Sequence, residues 1–372
     1  MKKLGFGLMR LPLLDNDDKK SIDIEQSKTM ADMFIERGFT YFDTGWMYHD
    51  FMSEKATKKF LVTCHERSEY TLATKLHADF FDSKEEIENI FNTQLENTGA
   101  GYFDYYLLHD MNTLYYEKYT KFDCWNWMQE KKAAGLVKHI GFSFHEGPEL
   151  LERILSEHPE VEFVQLQLNY LDWESEGIQS RACYEVARKY NKDIMVMEPV
   201  KGGILAMLPA PADKLLKEAH PDWSQAQWAI KFVAGLPGVK VVLSGMSDIA
   251  QLDDNTSFMA DFTPLTEDEI KLLESCVDII NSDLKIACTG CSYCTDGCPV
   301  NMPIPKYFSL YNAAFKEKYQ DEWNSARGYY AHISDYMSKA SACLKCGQCE
   351  LICPQHLPVM QYLEDVAEHF EK

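Results

Sequence analysis

Two cysteine runs late in the chain constrain its structure more than any other feature. Residues 288–299 read CTGCSYCTDGCP and residues 343–354 read CLKCGQCELICP, with cysteine at the first, fourth, seventh and eleventh positions and proline after the last. In the bacterial-type iron–sulfur motif of this spacing, three closely spaced thiolates bind one cluster and the fourth binds the other cluster. Because the motif occurs twice, the sequence predicts two 4Fe-4S clusters.

The motif also predicts which thiolates share a cluster. One set is Cys288, Cys291, Cys294 and Cys353, and the other is Cys343, Cys346, Cys349 and Cys298. A zinc ribbon and disulfides are the alternatives. Zinc needs only four ligands and gives no role to the third evenly spaced cysteine or to the Cys-Pro ending. Disulfides are usual in secreted chains, which are mostly smaller than this one.

Length and charge restrict the class of protein further. A chain of 372 residues can form one large domain and one small one. The net charge of -21 argues against nucleic acid or an anionic membrane as a partner. No apolar run is long enough to span a bilayer. Since clusters held by thiolates need a reducing compartment, we expect a cytoplasmic protein.

Between residues 4 and 280, short apolar segments alternate with amphipathic helical ones. Eight apolar segments predict strands: 4–8, 39–43, 70–75, 103–109, 139–144, 163–168, 194–198 and 239–243. Their nearly continuous apolar character is typical of a parallel sheet buried on both faces. Between them, Asp23 with Gln26 and Ser83 with Glu86 form capping-box patterns. This alternation predicts an α/β fold, a (β/α)8 TIM barrel.

The stretch between the cysteine runs predicts helices. Apolar and aromatic residues recur there at three- and four-residue steps: Phe308, Tyr311, Phe315, Tyr319, Trp323, Ala326, Tyr330, Ile333 and Met337. We expect Gly328 to divide this stretch into two helices. The insert resembles that of the all-helical two-cluster ferredoxin module. We therefore predict a barrel over residues 1–280 and a small, mainly helical iron–sulfur domain over residues 281–372.

Polar residues stand near the carboxyl ends of three neighbouring predicted strands, where barrels carry their chemistry. Asp43 ends the second strand, with Tyr48 shortly after it in FDTGWMYH. Lys75 ends the third strand, and His109 ends the fourth. Each residue alone has a structural explanation, such as a loop cap or a strand-end hydrogen bond. Together they predict one site.

These residues, over about 4–280, resemble the aldo-keto reductase family. The resemblance implies carbonyl reduction with a nicotinamide coenzyme, NADP or NAD. It implies that Tyr48 donates a proton to the carbonyl oxygen. A phenol has a pKa near ~10, and we expect the Lys75 ammonium to lower it while Asp43 holds Lys75 in place. His109 would orient the carbonyl by a hydrogen bond.

The resemblance also implies coenzyme contacts at fourteen positions: Ser143, Gln167, Asn169, Pro199, Lys201, Gly202, Gly203, Ser244, Gly245, Met246, Ser247, Gln251, Asp254 and Asn255. Residues 198–203 resemble the pyrophosphate loop and residues 244–255 the adenosine loop. Gln251 stands where NADPH-selective members commonly have arginine, and Met197 replaces the aromatic that often stacks on nicotinamide. By position alone, Trp46, His49, Met111 and His145 would line the pocket mouth.

A hydride carries two electrons, whereas a 4Fe-4S cluster passes one. The way in which the predicted barrel and the predicted iron–sulfur domain work together is therefore open. The clusters connect a nicotinamide carbonyl reductase to an external electron carrier, or a flavin (FMN) occupies the barrel and mediates. Alternatively, the clusters are structural or sense redox state. The chain could also be a regulatory subunit with little turnover. We favour a reductase with a small carbonyl or alcohol substrate; the sequence does not predict the substrate or the oligomeric state.

Overall fold

In a computed structural model, which describes residues 2–174, 178–314, 325–335 and 337–372, eight parallel strands close into a barrel. Each strand pairs with the next, and β1 pairs with β8. The strands are β1 Leu4–Gly7, β2 Tyr41–Asp43, β3 Thr71–His77, β4 Phe103–Met111, β5 Val137–Phe144, β6 Phe163–Gln167, β7 Asp193–Met197 and β8 Val239–Ser244. The predicted (β/α)8 barrel is confirmed, and the strand bounds differ from the prediction by at most two residues at either end.

Helices follow the strands and continue into the cysteine region. They are α1 Ile24–Glu36, α2 Ser53–Thr57, α3 Lys84–Thr98, α4 Thr113–Lys121, α5 Cys124–Ala133, α6 Pro148–Glu157, α7 Ser180–Lys189, α8 Ala210–Ala219, α9 Gln225–Gly235, α10 Ile249–Ala260, α11 Glu267–Asp283, α12 Tyr293–Asp296, α13 Ile304–Ala314, α14 Ser325–Ser334, α15 Gln348–Leu351 and α16 Val359–Glu371. Both predicted caps form: Asp23 accepts from the Gln26 N–H at 3.0 Å, and Ser83 accepts from the Glu86 N–H at 3.2 Å.

Side chains fill the interior of the barrel. Aromatic and aliphatic residues of six strands meet there in one buried cluster: Tyr41, Ala73, Tyr105, Leu107, Phe163, Met195, Val241 and Leu243. Inward residues from successive strands interdigitate in this way because a closed eight-stranded sheet leaves room for side chains and no channel. The filled interior leaves the carboxyl ends of the strands as the place for a site.

The chain divides into two compact units. The first comprises Met1–Glu174, Gln179–Val200 and Ala226–Glu267, and the second comprises Ser175–Ile178, Lys201–Gln225 and Asp268–Lys372. The second unit therefore includes the segment that follows β7, whereas the predicted boundary at residue 280 assigns that segment to the barrel. The boundary stays a prediction. Within the described residues, no helix is both long and apolar enough to cross a bilayer.

The cysteine region has its own helical core. Its buried residues include Ile286, Met302, Tyr307, Phe308 and Val366. The expectation that Gly328 separates two helices is wrong, because α14 runs through it. Glycine costs about 1 kcal/mol inside a helix relative to alanine, which packing of a helix can outweigh. Phe315, Tyr319 and Trp323 lie outside the described residues.

Candidate active site and iron–sulfur region

The structure brings the four predicted catalytic side chains together at the carboxyl ends of β2, β3 and β4. The Lys75 ammonium donates hydrogen bonds to the Asp43 carboxylate and, at 2.6 Å, to the Thr44 carbonyl. The same nitrogen lies 4.8 Å from the centre of the Tyr48 ring. The Tyr48 and His109 rings meet edge to face, with their centres 5.8 Å apart. Lys75 and His109 do not end their strands, since β3 and β4 continue to His77 and Met111.

Tyr48 differs electrostatically from the expectation. Burial raises its pKa well above the usual value for a phenol, and the carboxylates of Asp43 and Glu198 raise it further. The expected lowering by Lys75 is not found, because that ammonium is itself buried and paired with Asp43. Tyr48 is therefore a neutral phenol that keeps its proton over the whole neutral range.

His109 is held as a neutral imidazole. Burial lowers its pKa well below the usual value, and the nearby His77, Lys75 and His145 act in the same direction. Its main-chain carbonyl accepts a hydrogen bond from the Tyr119 hydroxyl at 2.7 Å. Its Nδ1 atom is buried and has no hydrogen-bond partner among the residues that the structure describes. A neutral ring with spare hydrogen-bonding capacity suits the binding of a polar substrate group.

A buried cluster of titratable groups behind His109 was missed by the sequence reasoning. The His77 ring lies edge to face on the His109 ring at 5.1 Å. Its Nδ1 accepts from the Asp79 N–H at 3.2 Å, which places the ring proton of neutral His77 on Nε2, 3.9 Å from the Asp110 carboxylate. Burial raises the pKa of Asp110 to about 6. His145, predicted at the pocket mouth, lies 4.0 Å from the same carboxylate.

Asp110 could not have been singled out from the sequence, because its position depends on an unusual backbone conformation. Its φ is +55°, in the left-handed region that L residues rarely adopt. Its N–H donates to the Ser143 hydroxyl oxygen at 2.9 Å. Glu198, the second missed carboxylate, also has a left-handed φ of +57° and directly follows β7. The Glu198 carboxylate acts electrostatically on Tyr48, whereas the Asp110 carboxylate lies beside His77 and His145.

The coenzyme residues predicted on β5, at the end of β6 and just after it make hydrogen bonds with neighbouring side chains and backbone groups. Asn169 Nδ2 donates to the Asp172 carboxylate at 2.8 Å and to the Glu198 carbonyl at 3.2 Å, and Gln167 Nε2 donates to Asp172 at 3.1 Å. Ser143 is fully buried on β5 and accepts from Asp110. These contacts fix amide and hydroxyl groups at the strand ends, where a carboxamide ligand could use their remaining hydrogen-bonding capacity.

The predicted adenosine segment folds as the start of α10. Asp248 caps the helix by accepting from the Gln251 N–H at 2.8 Å. The members of this segment divide by exposure: Ser244, Met246 and Asn255 are buried, Asp254 is half-buried, and Gly245, Ser247 and Gln251 are exposed. Asn255 holds Ser244 by a hydrogen bond of 2.9 Å.

Arg10, which the sequence reasoning did not single out, lies beside this segment. A Cβ added to Gly245 would lie 3.3 Å from the Arg10 side chain. The Ser247 hydroxyl donates to the Arg10 carbonyl at 2.9 Å. The guanidinium is half-buried and makes no hydrogen bond or ion pair with the described residues.

The predicted pyrophosphate residues fall into both compact units. Pro199 is buried at the end of the barrel unit. Lys201, Gly202 and Gly203 begin a 3-10 turn, Lys201–Ala206. This turn belongs to the second compact unit, which contains both cysteine runs and is called the cysteine unit below. All three have positive φ angles, of 46°, 63° and 104°. A coenzyme role for these residues stays a prediction.

The two cysteine runs fold alike. Matching positions have left-handed φ angles in both: Gly290 and Lys345, Ser292 and Gly347, and Asn301 and His356. The N–H groups of Gly290 and Lys345 each donate to the thiol of the first cysteine of their run, Cys288 and Cys343, at 3.4 Å. Hydrogen bonds of this kind to sulfur help set the potentials of iron–sulfur clusters.

The thiols of the two runs come close to one another, and the predicted division into two ligand sets stays a prediction. Cys288 and Cys294 each interact electrostatically with Cys353 of the other run, and Cys294 also interacts with Cys291 and with Cys349. Cys298, Cys343, Cys346 and Cys349 are among the residues that line one pocket. None of these thiols forms a disulfide. Within the described part of the chain, no three His, Cys, Asp or Glu side chains lie close enough for one ion to bind them all. Each iron of a cubane takes one thiolate, so the donor set fits 4Fe-4S clusters.

Comparison with known proteins decides the family. Residues 3–278 match the model of the aldo/keto reductase family. The chain belongs to the aldo/keto reductase family. This aldo/keto reductase also matches a 4Fe-4S dicluster domain over residues 287–357. The same chain therefore contains an aldo/keto reductase barrel and a ferredoxin-type domain.

Individual relatives of this aldo/keto reductase are distant. The uncharacterized oxidoreductase YqkF of Bacillus subtilis is 24% identical over 289 residues, which cover 68% of this chain and 89% of YqkF. The aldo-keto reductase AKR11C1 from Bacillus halodurans, in its holo form, is 23% identical with a TM-score of 0.59 over 74% of this chain and 91% of its own. An aldo-keto reductase from Klebsiella pneumoniae in complex with NADPH is 17% identical, with a TM-score of 0.58 over 73% and 90%. At these identities the two structures show the barrel fold alone.

Proposed function

We propose that this aldo/keto reductase interconverts a small carbonyl compound and its alcohol with a nicotinamide coenzyme, and that two 4Fe-4S clusters exchange electrons with an external carrier. The observation that carries the first part is the placement of Lys75 between Asp43 and Tyr48, next to His109. A buried phenol, a buried ion pair and a neutral imidazole converging at strand ends suit proton transfer to a carbonyl oxygen.

In the reducing direction, the Tyr48 hydroxyl gives its proton to the carbonyl oxygen, and the O–H bond that forms there completes the alcohol. A nicotinamide supplies the hydride that the carbonyl carbon receives. His109 binds the carbonyl oxygen with a ring nitrogen and orients it towards Tyr48. As negative charge develops on the Tyr48 oxygen, the fixed Lys75 ammonium stabilises it, so its contribution is greater in the transition state than in the resting protein. Solvent then returns a proton to Tyr48.

The residues proposed to hold the coenzyme are those predicted from the family. Ser143 lies on β5, Gln167 ends β6 and Asn169 follows it, near the carboxyl ends of the strands. The exposed residues of the adenosine segment offer hydrogen bonds and the start of a 12-residue helix. Whether the coenzyme is NADPH or NADH depends on the charges there. Asp248 places a carboxylate at the cap of α10, which repels a phosphate, whereas Arg10 attracts it.

For the iron–sulfur domain, we propose that one cluster is ligated by Cys288, Cys291, Cys294 and Cys353, and the other by Cys343, Cys346, Cys349 and Cys298. The cross-run proximity of Cys353 to Cys288 supports this assignment. Since a cluster passes single electrons and a hydride carries a pair, coupling between the barrel and the clusters needs the pair to be split. An FMN in the barrel would meet that need and is the alternative to direct nicotinamide use.

Anaerobic titration of the purified protein with NADH and with NADPH tests the proposed function. We expect the broad visible absorbance of the clusters to bleach with one of the two coenzymes, because electrons reach the clusters from the barrel. Reduction with dithionite provides the full amplitude for comparison. Carbonyl turnover with unbleached clusters would reject the coupling, and copurified flavin would support the alternative. Absence of both turnover and bleaching with any carbonyl tested would favour the regulatory subunit.

Replacing Arg10 with methionine tests its role in coenzyme selection. We expect the guanidinium to bind the 2′-phosphate of NADPH in place of the arginine that is missing at Gln251. A hydrogen bond to a charged group contributes about 1.5–3 kcal/mol. The variant should therefore bind NADPH about 10- to 100-fold more weakly, with NADH affinity unchanged, as measured by quenching of protein fluorescence.

A second variant provides the control for this prediction. Gln251→Arg, placed in the Arg10→Met background, adds a cation to the same segment and should restore NADPH binding. Equal weakening for both coenzymes would assign Arg10 to a phosphate that they share. Unchanged affinity for both would remove Arg10 from the coenzyme site.

A further inference from the structure

The Lys201 side chain forms a hydrogen bond within the cysteine unit. This side chain is buried, with 2% of the residue exposed, and its ammonium donates to the side-chain oxygen of Gln355 at 2.6 Å. Gln355 is itself buried and lies two residues after Cys353, in the turn that closes the second cysteine run. The lysine has a left-handed φ of +46°, which the surrounding contacts must enforce because an L residue adopts it at a cost.

The next residue brings the same loop against the first cysteine run. A Cβ on Gly202 would lie 2.3 Å from the carbonyl oxygen of Thr289, which directly follows Cys288. Such an approach excludes any side chain at this position, and the φ of +63° favours glycine as well. The loop therefore contacts a residue next to Cys288 through Gly202 and a residue near Cys353 through Lys201. These two cysteines belong to one proposed cluster.

The charge of Lys201 acts on one of these two cysteines, Cys288. The Lys201 ammonium is buried, and the contacts of Lys201 with Gln355 and of Gly202 with Thr289 keep the positive charge next to the segments that carry Cys353 and Cys288. A charge buried away from water interacts with its neighbours more strongly than an exposed one, because water screens it less. In the other run, Lys345 lies near Cys343, but its side chain is exposed and paired with Glu364, so water screens its charge.

We propose that Lys201 is the residue that sets the reduction potential of the cluster held by Cys288, Cys291, Cys294 and Cys353, by stabilising its reduced and more negative state. The inference rests on the proposed ligand set and is independent of whether the barrel reduces carbonyls. It assigns to the turn after β7 a role in tuning the cluster, and it makes this cluster easier to reduce than it would be without the lysine.

The test is a redox titration of the full chain, followed by electron paramagnetic resonance, in the parent protein and in Lys201→Met. We expect the midpoint potential of one cluster to fall, so that at a fixed potential its ratio of reduced to oxidised form drops about tenfold, a shift of about 59 mV for a one-electron couple. The other cluster should keep its potential. Lys201→Arg retains the charge and should restore most of the shift, whereas Lys345→Met should leave both potentials unchanged.

Gln355→Glu keeps the test decisive if Lys201→Met does not assemble its clusters. This variant preserves the size of the side chain and neutralises the Lys201 charge by an ion pair, so the same potential should fall. A shift of both clusters by equal amounts, equal behaviour of the methionine and arginine variants, or unchanged potentials with full iron content would each overturn the inference. An error in the ligand set would show separately, as a pattern of iron loss in the cysteine variants described below.

Discussion

Replacing Tyr48 with phenylalanine should lower kcat for carbonyl reduction by about 100- to 10,000-fold, the usual contribution of a positioned proton donor. The phenylalanine keeps the ring against His109 and Lys75 and removes only the hydroxyl. Coenzyme affinity and cluster absorbance should be unchanged, because Tyr48 contributes a proton and not a ligand. Steady-state kinetics with a panel of small aldehydes and ketones, together with fluorescence titration of the coenzyme, measure both quantities.

Tyr41 offers the matched control. It lies on β2, two residues before Asp43, and its buried hydroxyl has no hydrogen-bond partner among the described residues. Tyr41→Phe should therefore leave kcat unchanged. If Tyr48→Phe retained the parent kcat, the proton would come from another group. Because burial raises the pKa of Tyr48, the phenol stays protonated as the pH increases through neutrality, and its ionisation should not reduce the rate in that range.

Replacing Cys353 with alanine should disturb the cluster whose other ligands belong to the first cysteine run. A chain with two complete 4Fe-4S clusters contains about eight iron atoms. Removal of one thiolate should reduce the iron content below that figure and change the magnetic resonance signal of one cluster only. Iron analysis and spectra of the anaerobically purified variant measure both effects.

The pairing of variants tests the exchange of ligands between runs. Cys288→Ala should alter the same signal as Cys353→Ala, whereas Cys298→Ala should alter the other signal. If Cys353→Ala and Cys343→Ala affected a common cluster, each run would ligate its own. The scattered Cys183, buried on α7, serves as the control, and Cys183→Ala should retain full iron content.

The sequence predicts the barrel well because buried parallel strands are nearly continuous apolar segments, and such segments are visible without any three-dimensional information. Asp43, Tyr48, Lys75 and His109 converge in the structure for the same reason: the carboxyl ends of parallel strands share one edge of the barrel. The helix caps at Asp23 and Ser83 depend only on neighbouring residues and are likewise predictable.

What the sequence did not predict depends on irregular backbone and on contacts between distant residues. Asp110, at a register irregularity within β4, and Glu198, directly after β7, have left-handed backbone although neither is glycine, and no residue type marks such a bend. Arg10 and Gly245 are far apart in sequence and meet only because β1 pairs with β8 when the sheet closes. Lys201 has the family's position for coenzyme contact, yet its ammonium binds Gln355, a long-range partner that periodicity does not reveal.

The proximity of Cys353 to Cys288 has a consequence for biosynthesis. With the proposed ligands, neither cysteine run can complete a cubane alone. The cluster that includes Cys298 can be completed only after the ribosome has released Cys349, and the cluster that includes Cys288 only after it has released Cys353. The barrel residues emerge long before that point, and the reductase site can fold while the metal centres are still absent. Maturation of this protein would then proceed in two stages, with the supply of iron governing only the second.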